Sequence, residues 1–323
     1  MREGLFIKKN IEKWKEYQYE RTKDPDEMAT RFTELVNDLG YSRTFYPQSK
    51  VTQYLNALAS KIYLGIYKNR KEESSRIGRF WKTELPLVIR KHHRELLYSF
   101  IIFISFAILA AFSAAHDQTF VRGVLGNGYV EMTDENIAKG DPFGVYKDGD
   151  KLSMFFKIAL NNIKVSFYFF VSGIILSIGT VWLLFMNGIE IGAFQYYFFA
   201  KGLGWKSILV IWIHGTLEIS SIIMAGAAGL ILGNSILFPG THRRIDSLKR
   251  GTRDGVKILI GLVPIFITAA FLEGFVTRYS TMPVWLSILI LLSSFSFIIW
   301  YFVIYPIRLS NKMKNSASPQ KLS

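Results

Sequence analysis

The sequence contains no cysteine in 323 residues. Disulfide bridges and thiolate metal sites are therefore excluded. The N-terminal residues Met1-Arg2-Glu3-Gly4 also lack the short apolar core of a cleavable signal peptide. We therefore expect insertion into a membrane to depend on apolar segments further along the chain.

Acidic residues are scarce relative to basic ones, with 25 Asp and Glu against 39 Lys and Arg. An excess of positive charge can indicate nucleic-acid binding, but no RRM, zinc-finger or Gly-rich phosphate motif accompanies it. In membrane proteins Lys and Arg concentrate in cytoplasmic segments, beside anionic lipid headgroups. The charge is therefore interpreted as a sign of topology, with the lipid bilayer as partner and no nucleic acid.

Half of the residues are hydrophobic, and most of them lie in long runs beyond residue 95. Several runs reach the length of about 20 residues that a helix needs to cross about 30 Å of hydrocarbon. The pattern predicts an all-α fold, namely a polytopic helical membrane protein. Its five strong hydrophobic segments are residues 96–115, 165–186, 207–238, 256–276 and 284–305.

The distribution of basic residues predicts how often the chain crosses the membrane. Basic residues stand at positions 90–94, in the loop 239–255 and in the tail beyond residue 305. Basic segments favour the cytoplasmic side, and five crossings cannot place all three there. We therefore favour six crossings of a cytoplasmic (inner) membrane with the N-terminus in the cytoplasm. The additional crossing is expected between Ile189 and Phe238, with a helix broken near His214-Gly215.

Residues 1–95 are charged and mixed in composition, and they predict a soluble cytoplasmic helical bundle. Asp24 followed by Pro25 is typical of a helix start. Apolar residues then recur at intervals of three to four, as on one face of a helix. Three helical runs are expected, from Asp24 to Gly40, after Pro47, and from Ser75 towards the membrane.

Residues 96–310 are predicted to form the membrane domain, and residues 311–323 a cytoplasmic tail. The segment 116–164 has balanced charges and many glycines, which predicts loops and turns. We expect this segment to form an extracytoplasmic loop.

Ionisable residues inside the apolar segments are the strongest chemical signal. His214 and Glu218 are four residues apart and share a face of a helix. Burying them costs free energy unless they are paired. One hypothesis places His214, Glu218 and Glu273, with the neighbouring Gly215 and Gly274, in a polar site for protons, ions or lipid headgroups. The alternative, favoured because interhelical polar contacts are common, is a hydrogen-bond network that only fixes helix packing.

Amide and small residues have simpler interpretations. The amides are expected to cap helix ends at the membrane surface. The glycines at 226, 229 and 233 predict close helix packing. The helix-end polar motifs are Asn161, Asn162, Asn187 and Gly188.

The motifs of common enzymes are missing from the sequence. His-x-x-x-Glu differs from the His-Glu-x-x-His motif of zinc proteases, and no second histidine lies nearby. Neither a Gly-x-Ser-x-Gly motif nor a Ser/His/Asp arrangement is present. We therefore expect no catalytic residue, no metal site and no cofactor.

The ordered set of these motifs resembles the stage II sporulation protein M (SpoIIM) family. The matching motifs in the membrane segments are Asn161-Asn162, Asn187-Gly188, His214-Gly215-x-x-Glu218 and Glu273-Gly274-Phe275. The helical head resembles that of longer family members through Ser42-Arg43-Thr44-Phe45-Tyr46-Pro47. The external loop resembles theirs through Gly140-Asp141-Pro142.

The resemblance implies a bacterial or archaeal cytoplasmic-membrane protein without an assigned catalytic residue. The namesake member acts in engulfment during sporulation, as a membrane anchor for a peptidoglycan-remodelling complex, and lacks the basic head found here. Two functions are therefore expected. The first is a non-enzymatic scaffold or anchor that binds unidentified membrane or envelope proteins and forms homo-oligomers. The alternative is a transporter, channel or lipid-handling protein that uses His214, Glu218 and Glu273.

Overall fold

A computed structural model describes residues 2–20, 22, 24–68, 76–144, 150–277 and 282–317. The chain divides into two compact units, Met1–Ile77 and Gly78–Ser323, called here the head unit and the membrane unit. The described residues form helices and no strand, which confirms the predicted all-α fold class.

Within residues 2–68, the described part of the head unit has three helices around a small apolar core. Trp14, Leu35 and Leu55 are completely buried, one from each helix. The indole of Trp14 also donates a hydrogen bond of 2.8 Å to Asp38. The helices are α1 (Glu3–Tyr19), α2 (Pro25–Phe45) and α3 (Lys50–Lys68).

The predicted start of α2 is confirmed, because the Asp24 carboxylate accepts a hydrogen bond from the backbone N–H of Asp26. The predicted end at Gly40 is wrong, since α2 continues to Phe45. A glycine inside a helix costs only about 1 kcal/mol, which the buried side chains on either side of it outweigh.

The third helix of the head differs from the expected one. The third helix of the head unit is α1, which buries Phe6 and Trp14. Sequence periodicity did not reveal this helix. The run expected from Ser75 belongs to the membrane unit, where Leu85 and Val88 join the main apolar core. Ser75 itself lies outside the described residues. Spacing identifies an apolar helix face but does not identify the core that it joins.

The membrane unit consists mainly of long apolar helices. Among the described residues, five segments are long and apolar enough to cross a membrane: His93–His116, Lys151–Ser172, Gly204–Leu237, Arg244–Thr277 and Val284–Ser316. A further helix, Ile178–Ala200, has 23 residues, a sufficient length for about 30 Å of hydrocarbon. The chain is therefore a polytopic helical membrane protein, as predicted.

The helices of the membrane unit are labelled in chain order. The segment that leads into α6 (His93–His116) consists of α4 (Arg76–Arg79), a π-helical turn (Phe80–Glu84) and α5 (Leu85–Lys91). The next helices are α7 (Gln118–Leu125), α8 (Asn127–Ala138), α9 (Lys151–Ser172), α10 (Ile178–Ala200) and α11 (Gly204–Leu237). Then come α12 (Arg244–Phe271), extended by a π-helical turn (Leu272–Thr277), and α13 (Val284–Ile299), extended by a second one (Trp300–Ile304) and by α14 (Tyr305–Ala317).

A reversal of the chain at residues 173–177 separates α9 from α10. The Thr180 hydroxyl donates a hydrogen bond of 2.8 Å to the Phe169 carbonyl across this turn. Leu176 and Ser177 have positive φ angles of 50° and 67°, which non-glycine residues adopt at a cost. The two helices therefore form a hairpin.

This hairpin corrects the predicted second span, 165–186, which contains the turn in its middle. It also supplies the additional helix that was expected further along the chain. Helix α11 is continuous from Gly204 to Leu237, so the predicted break near His214-Gly215 is wrong. The residues of the turn are themselves apolar, and hydropathy alone could not reveal them.

The segment predicted as the loop 116–164 is more ordered than expected. It contains α7 and α8, whose Val121 and Val130 are buried against Tyr197 and Phe198 of α10. Residues 145–149 lie outside the described residues. The last part of the segment belongs to α9, which begins after Asp150, whose carboxylate caps the helix at Ser153.

Glycines allow the long helices to approach closely. A Cβ atom on Gly192 of α10 would lie 2.1 Å from the Ala107 carbonyl oxygen of α6. On α11, a Cβ atom on Gly229 would lie 2.3 Å from the Phe169 oxygen. Side chains at these positions would force the helices apart, which confirms the predicted packing role of Gly226, Gly229 and Gly233.

Candidate functional site: an ionisable cluster in a polar cavity

Three ionisable side chains meet between α11 and the end of α12. His214 and Glu218 lie one turn apart on α11, and Glu273 comes from the π-helical turn Leu272–Thr277. Their ligand atoms all lie within 4.8 Å of one another. These three residues are called the ionisable cluster below.

The orientation of His214 is fixed by Thr277. The imidazole Nδ1 lies 3.0 Å from the Thr277 hydroxyl, and that hydroxyl donates to the Leu272 carbonyl at 3.2 Å. On the other side of the ring, Nε2 lies 4.0 Å from a carboxylate oxygen of Glu273. Only 5% of the His214 side chain is exposed, so the imidazole is held in one direction.

The ionisable cluster opens into a cavity of about 950 Å³ between α9, α10, α11 and α12. Most of its polar lining outside the cluster comes from α9 and α10. These residues include Lys157, Asn161, Asn162, Asn187 and Glu190. A cavity of this size, with polar groups on several helices, has room for an ion together with water.

Asn162 lies at the inner part of this cavity, beside Glu218. The residue is 4% exposed. Its amide nitrogen makes no hydrogen bond of normal length with any described residue. The amide interacts with the Glu218 carboxylate at longer range, which connects Asn162 to the ionisable cluster.

The structure brings together most of the residues that the sequence singled out. The cavity is lined by His214, Gly215, Glu218 and Glu273, and also by Asn161, Asn162 and Asn187. Two others serve packing instead. Gly188 lies against the Phe103 carbonyl of α6, and Gly274 lies against Phe155 of α9.

The interpretation of Asn161, Asn162, Asn187 and Gly188 as helix-end motifs is corrected. The first pair lies inside α9 and the second inside α10. The prediction followed from treating residues 165–186 as one span, which placed both pairs at its ends.

Two residues around the ionisable cluster were missed by sequence reasoning: Glu190 lines the cavity, and Thr277 orients His214. Glu190 follows Asn187 by three residues on the same apolar helix, and this spacing was a usable signal for a shared face. Thr277 offered no such signal, because its contact with His214 depends on how α12 packs against α11. Both positions belong to the same polar site.

Fold and site together define a polytopic helical membrane protein with a separate N-terminal helical unit and a polar intramembrane cavity. The family model of Stage II sporulation protein M matches residues 99–278, which is more than half of the chain. The protein therefore belongs to this family. The match includes the whole ionisable cluster.

The head unit is matched separately. The family model of a domain of unknown function (DUF8413) matches residues 4–68. The head unit therefore matches a separate domain family, and the SpoIIM match begins only at residue 99. No curated protein and no solved structure matches the chain.

Proposed function

We propose that this SpoIIM-family protein binds a small cation in its intramembrane cavity and passes it across the cytoplasmic membrane. The observation that carries the proposal is the meeting of His214, Glu218 and Glu273 at a cavity of about 950 Å³. A network that served packing alone would be closed, because cavities cost free energy and buried polar groups favour direct pairing. Ionisable residues inside membranes commonly mark ion pathways.

The proposal includes a topology of six crossings with a cytoplasmic N-terminus. With the α9–α10 hairpin counted as two crossings, the basic residues before α6, those of the loop after α11 and those of the tail fall on one side. This arrangement satisfies the positive-inside rule. Residues 117–150 then lie outside the cytoplasm.

The full-length protein reconstituted into liposomes tests this function. Entrapped fluorescent dyes would report proton movement and the influx of Zn²⁺ or Mn²⁺. We expect influx above that of empty liposomes, and a loss of at least tenfold in Glu218→Gln, which keeps the side-chain shape. The control is Glu131→Gln, which changes an exposed carboxylate of α8. Equal rates in protein-containing and empty liposomes would refute the proposal.

A scaffold or anchor is the second candidate function, without enzymatic activity. It is supported by the head unit, which has its own core of Trp14, Leu35 and Leu55 and is not part of the membrane unit. Such a unit offers a binding surface for membrane or envelope proteins, or for a second copy of the chain. Extraction in mild detergent should then recover stoichiometric partners with the full chain and lose them when residues 1–77 are deleted. A monodisperse, partner-free chain would argue against this role.

A further inference from the structure

We infer that the ionisable cluster is a binding site for one divalent transition-metal cation, with His214 Nε2 and the carboxylates of Glu218 and Glu273 as ligands. The inference rests on the proposed function, because it names the class of cation that the cavity receives. It also revises the expectation that the chain has no metal site. That expectation considered ligands only at local spacings, whereas the third ligand comes from another helix.

The hydrogen bonds around His214 determine which ring nitrogen faces the cluster as a ligand. The single proton of the Thr277 hydroxyl is donated to the Leu272 carbonyl. The hydroxyl oxygen therefore accepts a hydrogen bond from the Nδ1–H group of His214, with the two atoms 3.0 Å apart. In this tautomer Nε2 is the ring nitrogen that can bind a metal, and it lies 4.0 Å from a carboxylate oxygen of Glu273. A second hydrogen bond of this kind is typical of histidines that bind metals.

The distances in the cluster are close to those of ligands that share one ion. Nε2 of His214 and the nearest Glu273 oxygen are 4.0 Å apart, too far for a hydrogen bond. Ligand atoms at about 2.1 Å from a common ion lie about 3.0–3.4 Å from one another in tetrahedral or octahedral geometry. The ligand atoms of the cluster lie within 4.8 Å of one another. Small rotations of the two flexible glutamate side chains would bring them to the distances of bound ligands.

Charge and ligand chemistry select the class of ion. Two carboxylates in a low-dielectric site are neutralised by one divalent cation, whereas a monovalent cation would leave a net negative charge. Imidazole favours Zn²⁺, Fe²⁺ and similar ions over Mg²⁺ and Ca²⁺, and carboxylates accept these ions as well as Mn²⁺. One His and two Glu therefore predict a transition metal with coordination positions left for water.

Asn162 lies beside Glu218, one of the proposed ligands. Its buried amide nitrogen lines the same cavity and makes no hydrogen bond of normal length with a described residue. A water molecule bound to the metal would supply an acceptor for this amide. Its position beside Glu218 would also allow it to orient that carboxylate, as residues around metal ligands commonly do.

The cavity provides a path to the cluster along one face of α9. Asp150, Ser153 and Lys157 on this face are exposed, and Asn162 is buried. From Asp150 to Asn162 the helix rises about 18 Å at 1.5 Å per residue. Outside the cluster the lining carries two carboxylates, Asp150 and Glu190, against the ammonium group of Lys157. The path thus favours cations by charge.

Metal binding to the full-length protein in detergent tests the inference. After treatment with a chelator, titration calorimetry with Zn²⁺ should show one ion per chain. Glu273→Gln and His214→Gln should each weaken binding by at least 100-fold. Thr277→Val, which removes only the group that orients His214, should weaken it by about 10- to 100-fold. Glu131→Gln, an exposed carboxylate of α8 outside the cavity, should change it by less than threefold.

Two further measurements separate a lost site from a lost fold. Each variant should elute as the wild type does on size exclusion, and Zn²⁺ should raise the melting temperature of the wild type but not of Glu273→Gln. Co²⁺ used in place of Zn²⁺ should show a visible absorption band that is altered in His214→Gln. Absence of stoichiometric binding to the wild type, or equal losses in Glu131→Gln and Glu273→Gln, would overturn the inference.

The outcomes of this experiment and of the liposome assay are independent. Stoichiometric Zn²⁺ binding at the cluster without influx would support the metal site and refute transport. Proton influx that depends on Glu218, without metal binding, would support the pathway and refute the metal site.

Discussion

His92 Nε2 lies 2.9 Å from a carboxylate oxygen of Asp254. This contact joins the residue before α6 to the first half of α12, and Lys91 reaches the same oxygen at 2.6 Å. Glu95 lies on the other side of the imidazole, 3.8 Å from Nδ1. Two carboxylates therefore face one histidine at the end of the membrane unit where the basic residues cluster.

The contact predicts a pH dependence of stability. Burial alone would lower the pKa of His92, but the hydrogen bonds to Asp254 and Glu95 outweigh burial and raise the pKa above the ordinary value of 6.5. The stabilisation is therefore complete below pH 6.5 and is lost as the pH rises through the raised pKa. Thermal unfolding in detergent between pH 5.5 and 8.5 should show a melting temperature that falls with pH.

His92→Gln should reduce this slope, because the group that gains a proton on folding is removed. His242→Gln is the matched control, since His242 is exposed in the loop before α12. An unchanged slope in His92→Gln would contradict the assignment.

The α9–α10 hairpin predicts a labelling pattern that the absence of cysteine makes simple to measure. A single cysteine at Ile175, in the turn, should react with a membrane-impermeant maleimide only after the cells are permeabilised. Arg250→Cys should behave in the same way, and Lys139→Cys should react in intact cells. Protection of position 175 under both conditions would instead indicate a single span through residues 165–186.

Glycine substitutions in α11 should separate packing from helix propensity. Gly229→Ala would place a methyl group 2.3 Å from the Phe169 oxygen and should destabilise the membrane unit by about 1–3 kcal/mol. Gly215→Ala meets only Ile219, at 3.9 Å, and should be neutral or stabilising by up to about 1 kcal/mol. Melting temperatures of the two variants in one detergent would test this, and equal losses would contradict it.

The head unit should fold without the membrane unit. A fragment of residues 1–77 is expected to be soluble and helical by circular dichroism, with cooperative urea unfolding. Trp14→Ala should cost about 3–5 kcal/mol, because its side chain is fully buried. Tyr19→Ala on the same helix is the control, since Tyr19 is 75% exposed and its loss should cost less than about 0.5 kcal/mol.

The sequence predicted the fold class and the meeting of the ionisable cluster for a physical reason. Apolar runs of membrane length have few alternative structures. His214 and Glu218 share a helix face by spacing alone. Glu273 lies near the end of another apolar run, where burial of a carboxylate costs free energy. His214 and Glu218 are among the few polar groups in the apolar segments that could lower this cost.

The other features of the fold depend on packing between helices, which the spacing of residues along the sequence does not reveal. The turn at 173–177 is held by contact with α11, where a Cβ atom on Gly173 would lie 2.0 Å from the Gly229 oxygen. Because that turn was not visible, Asn161 and Asn187 were assigned to helix ends rather than to the cavity wall. The head helix α1 was missed because its apolar face is short and interspersed with lysines and glutamates.

The packing of the hairpin turn against α11 has a consequence for the order in which the cavity forms. Helices α9 and α10 leave the ribosome before α11 and α12, so the hairpin enters the bilayer while Asn162 and Glu190 still lack their eventual surroundings. Because α11 and α12 supply the remaining walls, the polar cavity is complete only after these helices have been synthesised and have packed against the hairpin.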